Sequence, residues 1–215
     1  MSKSIFVSGI DTDAGKSYCT AWLGLYLRRK GLKVMTQKFI QTGNRDTSED
    51  IMVHRRLMGD AIDNEPWQLS APEIYTYPAS PHLSAQIDGR PVDIDKIDKA
   101  RRELEKSCDV LLVEGAGGLM VPISEDTLTI DYPTSRKMPV ALVTNGRLGS
   151  ISHTILSLEA IASRGLELRY VLYNTYFDSD KTIADDAREY IRRYVGRHFP
   201  EAEFLIVPDM SEAAQ

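Results

Sequence analysis

Short, continuous apolar runs alternate along this 215-residue chain with longer stretches whose apolar positions recur every three to four residues. The runs Ser4–Ser8, Lys33–Lys38, Val110–Glu114, Pro139–Thr144, Leu168–Tyr173 and Glu203–Val207 predict strands. The periodic stretches Gly15–Lys30, Asp46–Met58, Pro81–Asp88, Asp93–Ser107, Ser150–Arg164 and Ser179–Val195 predict helices. Asp93 stands where an N-cap belongs, and Gly165 where a C-cap glycine belongs. A strand that is apolar at successive positions has both faces covered, so the pattern predicts an α/β fold with a mostly parallel central sheet and helices on both faces. With no repeat, low-complexity segment or linker, 1–215 reads as a single domain.

Ligands of such sheets bind at the carboxyl ends of the strands. Gly9, Lys38, Glu114, Asn145 and Asn174 all stand at or just after predicted strand ends. That convergence carries more weight than any one motif.

Composition narrows the classes. Hydrophobic residues make up 42% and charged residues 27%, the balance of an ordinary globular protein. No apolar run reaches the ~20 residues that span a bilayer. The N-terminus runs straight into the first strand and is too short in apolar residues for a signal peptide. A net charge of −5 speaks against a general nucleic-acid binder. The basic stretch Arg188–His198 reads as the solvated face of a helix, with Ala187, Ile191 and Val195 on its apolar side. Cys19 and Cys108 form no disulfide or zinc pattern, which predicts reduced thiols in a cytoplasmic protein. The four histidines show no metal-ligand spacing and read as structural.

The sharpest motif is Gly9-Ile10-Asp11-Thr12-Asp13-Ala14-Gly15-Lys16-Ser17, between a predicted strand and a predicted helix. A glycine-rich turn lets backbone N–H groups face phosphate oxygens, and the helix N-terminus adds partial positive charge. In such a loop Lys16 reaches the terminal phosphates and the Ser17 hydroxyl binds Mg²⁺. The spacing is unusual, with five residues rather than four between Gly9 and Gly15. Metal binding also calls for a carboxylate, and two candidates follow: Asp50, and Glu114 at the end of an apolar strand, where an unpaired carboxylate is costly. Gly115, Gly117 and Gly118 permit a close backbone approach beside Glu114.

These pieces, with Lys38-Phe39-Ile40-Gln41-Thr42-Gly43, Ser80-Pro81-His82, Val113-Glu114-Gly115-Ala116-Gly117-Gly118 and Leu148-Gly149-Ser150-Ile151-Ser152-His153, resemble the ATP-dependent dethiobiotin synthetases. The matches occur in family order and run from Phe6 to about Pro208. The longer loop spacing is that family's own variant of a P-loop NTPase-like fold. The resemblance implies a reaction of ATP, carbon dioxide and 7,8-diaminononanoate. A carbamate forms on one amine, ATP phosphorylates it to a carbamic-phosphoric anhydride, and the second amine closes the ureido ring.

The resemblance also implies roles. Lys38, Lys16 and Thr12 are the catalytic positions. ATP lies over Asp13, Ala14, Gly15, Lys16, Ser17 and Tyr18, with Asp50, Glu114, Gly115, Ala116, Gly117, Asn174 and Pro208 completing its site. Ser17, Asp50 and Glu114 are the Mg²⁺ positions. Thr42 faces the diamine. Gly149, Ser150, Ile151 and Ser152 hold the substrate carboxylate at a helix N-terminus across a homodimer interface. Four departures stand out: Asp13 for a common glutamate, Asn145 for a small residue, Gln41 as an unusual neighbour of the active-site strand, and a short segment after Pro208, a region the family uses for the base. Two rivals remain open. An amidating synthetase of the corrin type normally needs a glutamine-hydrolysing domain, which this chain has no room for. A partitioning-type nucleotide switch carries an extra loop lysine, absent from positions 9–15, and often a membrane-binding tail, whereas Asp209–Gln215 is acidic.

Overall fold

The computed structural model describes residues 3–209. Of the acidic stretch Asp209–Gln215, residues 210–215 lie outside the described residues, as do Met1 and Ser2. Six strands form one all-parallel sheet: β1 (Ser4–Gly9), β2 (Val34–Lys38), β5 (Val110–Gly118), β6 (Val140–Asn145), β7 (Leu168–Asn174) and β8 (Glu203–Val207), in the order β2-β5-β1-β6-β7-β8. The pattern of apolar runs located all six.

β1 shows why the runs are continuous. Phe6 enters one core cluster, while Ile5 and Val7 enter the cluster on the opposite face. All three are buried, each contributing about 1.5–3 kcal/mol by leaving water. One face is covered by α1 (Lys16–Arg29) and by Met58 of α2 (Glu49–Met58). The other receives Ile97 and Leu104 from α5 (Ile94–Glu105), Leu158 and Ile161 from α7 (Ser150–Ser163), and Ile191 and Val195 from α8 (Lys181–His198).

Helix boundaries differ from the sequence pattern where caps decide them. Ser48, not Asp46, opens α2, because its hydroxyl accepts from Ile51 N at 3.2 Å. Asp180 opens α8 by accepting from Thr182 N and Ile183 N, and the helix runs on to His198. Asp93 caps α5 as predicted, accepting from Lys96 N at 2.9 Å. Gly165 follows α7 at φ 61°, the left-handed conformation expected of a terminating glycine.

Other elements went unpredicted. β3 (Gln41–Thr42) and β4 (Ile74–Tyr75) form a two-stranded sheet of their own. α3 (Trp67–Ser70) and α6 (Asp131–Arg136) are short, and α4 (Pro81–Ile87) was anticipated. Elements of two to six residues carry too few positions for a periodicity to register. β5 corrects a further boundary: it does not close on Glu114 but continues through the glycines to Gly118, since Gly9 of β1 still pairs with Gly118.

Candidate active site

Strand register assembles the site. Lys38 on β2 stands directly beside Glu114 on β5. Glu114 also pairs with Val7 on β1, two residues before the loop begins. Asn145 and Asn174 are neighbours at the ends of β6 and β7. Five separated stretches of sequence therefore meet at the carboxyl ends of the strands. There Thr12, Asp13, Gly15, Lys16, Ser17, Lys38, Asp50, Glu114, Gly117, Arg147 and Phe177 line a cavity of about 440 Å³.

The loop turns into α1 at Gly15, whose φ of 84° is left-handed. A Cβ there would run into the Asn174 side-chain nitrogen. Asn174 donates from that nitrogen to Ala14 O at 3.2 Å, and its oxygen accepts from Tyr176 N. It braces the loop against β7. Lys16 folds back over the turn, donating to Asp11 O at 3.0 Å and Thr12 O at 2.9 Å. Tyr18, one residue past the motif, donates to Pro208 O at 2.8 Å, so these two distant positions meet.

A polar cluster stands beside the loop. Ser17 Oγ donates to Asp50 Oδ1 at 2.6 Å and lies 3.0 Å from Glu114 Oε1. Lys38 Nζ sits 2.5 Å from Asp50 Oδ2, 2.7 Å from Glu114 Oε1 and 3.1 Å from Gly115 O. His54 Nε2 lies 2.7 Å from Glu114 Oε2. His54, read from the sequence as structural, thus touches the carboxylate of this cluster. It follows Asp50 by one helical turn on α2 and shares its face.

Burial and charge compete differently at each group. Burial alone would raise the Glu114 pKa, but Lys38 and His54 outweigh it and hold the carboxyl well below its usual range. Burial would likewise depress Lys38, yet Glu114 and Asp50 reverse the sign and raise it. Lys16 has no such direct carboxylate partner. Burial, with Lys38 nearby, pushes its pKa down to about 8. Cys19 is buried behind the loop, and burial raises its thiol pKa, as befits a packing residue.

The remaining predicted positions are placed as follows. Ala116 and Gly117 follow Gly115 on β5. Thr42 stands on β3, and Gly149–Ser152 form the start of α7; none of these lines the loop cavity within one chain. Ser150 Oγ instead donates to Asn145 Oδ1 at 2.6 Å, which gives the unusual Asn145 a structural task. Arg147 and Phe177 line the cavity without having been predicted, the guanidinium 3.8 Å above the ring centroid. The sequence offered no spacing signal for that pair.

The fold resembles that of the MinC:MinD cell division protein complex from Aquifex aeolicus, with a TM-score of 0.53 at 18% identity over 96% of this chain and 81% of that one. A likeness at that identity fixes the fold alone, an α/β one with a mostly parallel central sheet. A family model described as an AAA domain matches residues 3–205. An ATP-dependent dethiobiotin synthetase from Haemophilus ducreyi is 42% identical over 96% of this chain and 99% of its own length. One from Pasteurella multocida is 40% identical over 96% and 98%, and one from Chlorobaculum tepidum 43% over 93% and 84%. The chain belongs to the ATP-dependent dethiobiotin synthetases. Similarity along almost the full length of such synthetases leaves the amidating and partitioning readings without support. In this dethiobiotin synthetase the loop, Lys38, Asp50 and Glu114 meet in one cavity.

Proposed function

We propose that this cavity is where the chain joins carbon dioxide to 7,8-diaminononanoate and closes the ureido ring, cleaving ATP to ADP and phosphate. The observation that carries the reading is Lys38, a charged lysine held by two carboxylates at the mouth of a phosphate loop. A carbamate and a triphosphate are both anions, and bringing them together requires cations between them. Lys38 and Lys16 both line the cavity and supply that charge. Lys38 passes from Asp50 and Glu114 to the reacting anions; Lys16 leaves the loop carbonyls for the terminal phosphates. Backbone N–H groups of Asp13–Ser17 and the start of α1 bind phosphate oxygens. Thr12 lines the same cavity and orients the carbamate, with Thr42 on the diamine side. Gly115, Ala116 and Gly117 flank the triphosphate, and Tyr18, Asn174 and Pro208 enclose the base.

Mg²⁺ fits the donors present. Asp50 Oδ1 and Glu114 Oε1 stand 2.6 Å and 3.0 Å from Ser17 Oγ. Among the described residues no group of three or more His, Cys, Asp or Glu is arranged to hold a metal ion by itself. Two carboxylates and a hydroxyl, completed by phosphate oxygens and water, are what Mg²⁺ favours. When bound it would neutralise charge on the phosphates.

The active unit is a homodimer of the single domain 1–215. Support comes from Met120 and Leu156, 51% and 65% exposed, which line a cavity with Thr12 and Gly118 next to the loop. A partner's Gly149–Ser152 would bind the substrate carboxylate with helix N-terminal N–H groups. Buried, unpaired Cys19 and Cys108 agree with a cytoplasmic location.

The test supplies diaminononanoate, Mg²⁺-ATP and labelled bicarbonate to the unaltered protein and to Lys38→Ala. Label should enter a cyclic urea. Turnover should fall about 10²–10³-fold in the variant, the scale of losing one transition-state donor, with ATP binding retained. Phosphate release only with a different acceptor overturns the substrate assignment. Near-normal turnover of Lys38→Ala removes that residue from the mechanism.

A further inference from the structure

We propose that His54 is a positioning residue of this site, holding the far oxygen of Glu114 so that Lys38 is free to leave the near one. The inference rests on the reading above, in which Lys38 exchanges its carboxylate partners for the reacting anions.

Glu114 divides its two oxygens. Oε1 takes Lys38 at 2.7 Å and faces Ser17 at 3.0 Å, while Oε2 takes His54 Nε2 at 2.7 Å. Both the histidine and the glutamate side chains are 0% exposed. A buried carboxylate left without a partner is costly. If Lys38 were the only donor, its departure would strand the charge, and the carboxylate would hold the lysine in place. His54 keeps one hydrogen bond on Glu114 throughout. It also fixes the carboxylate plane, so that Oε1 stays turned towards Ser17 and Asp50.

The second ring nitrogen supports this assignment. His54 Nδ1 is buried and has no hydrogen-bond partner among the described residues. An imidazole retained for packing alone would leave two unsatisfied nitrogens in the core, a penalty an apolar side chain avoids. Among the described residues, the one polar side-chain contact of His54 is to Glu114. An ionised carboxylate only accepts, so Nε2 carries a proton in this contact. The helix sets the geometry: Asp50 and His54 lie one turn apart, so α2 delivers a carboxylate to Ser17 and Lys38 and an N–H to Glu114 from the same face.

The experiment compares the unaltered protein with His54→Gln, His54→Asn and His54→Leu. ATP binding is titrated calorimetrically at a series of Mg²⁺ concentrations, alongside turnover and thermal unfolding. Gln can place an amide N–H near the Nε2 position; Asn is too short, and Leu has no donor. The Leu and Asn variants should need about 10–100-fold more Mg²⁺ for half-maximal ATP binding and lose turnover by a similar factor, as when an outer partner of a metal ligand is removed. ATP binding without Mg²⁺ should be unchanged, and His54→Gln should recover close to the unaltered values. A folded Leu variant with unaltered Mg²⁺ dependence and turnover overturns the proposal. So does an equal loss in all three variants that follows their melting temperatures. ¹⁵N spectra of the unaltered protein decide the matter even if His54→Leu does not fold: the Nε2–H tautomer is expected, and a bare Nε2 refutes the hydrogen bond. If the unaltered protein makes no dethiobiotin, the proposed reaction fails, while Mg²⁺-linked ATP binding and the tautomer still judge His54.

Discussion

Lys16 and Lys38 carry the same ammonium group into one cavity, yet their surroundings drive them in opposite directions. Lys38 faces two carboxylates within 2.7 Å and stays charged. Lys16 faces only loop carbonyls, and burial brings its pKa down to about 8. Bound phosphates favour the charged form, so ATP binding should raise that pKa and take up a proton. Affinity for Mg²⁺-ATP should be full below pH about 8 and fall above it, by up to about tenfold per pH unit. Calorimetry in buffers of different ionisation enthalpy checks this; no proton uptake near pH 9 would show that Lys16 is not the group concerned. At this scale the loop residues were legible because their chemistry is carried by adjacent positions. His54 was not, since its meaning depends on a glutamate 60 positions away.

Among the elements, α2 shows how a small polar contact can position a site. Ser48 Oγ accepts from Ile51 N to start the helix and donates to Gln41 Oε1 at 2.5 Å, tying α2 to β3. Asp50 and His54 are thereby aimed at the loop and at Glu114. Ser48→Ala removes both bonds in a fully buried position. The expected cost is about 0.5–2 kcal/mol, seen as a lower urea midpoint at unchanged slope. An unmoved midpoint would show that neither bond contributes. The helix itself was legible from its apolar period, but its first residue was not: Asp46, Thr47 and Ser48 are all capping types, and only the backbone conformation selects one. β3, two residues long, offered no pattern to read.

For the molecule as a whole, the proposed interface is open to direct test. Leu156 is 65% exposed beside Met120 at the edge of the loop cavity, where an apolar side chain gains by being covered. Leu156→Asp should shift the protein from dimer to monomer in sedimentation equilibrium and depress turnover, while leaving the melting temperature of the protomer little changed. A dimer that persists with full activity would place the interface elsewhere.

What the sequence determined by itself was whatever repeats over short distances or sits in one stretch. Continuous apolar runs require strands covered on both faces, amphipathic periods require helices, and Gly9–Ser17 carries its phosphate chemistry in nine adjacent residues. The tertiary structure decided which separated residues meet. Parallel register set Lys38 beside Glu114 and carried β5 on to Gly118. The packing of α2 brought Asp50 to Ser17 and Lys38 and His54 to Glu114 Oε2. Register and helix packing follow from how whole side-chain surfaces fit together, so no local window of sequence contains them.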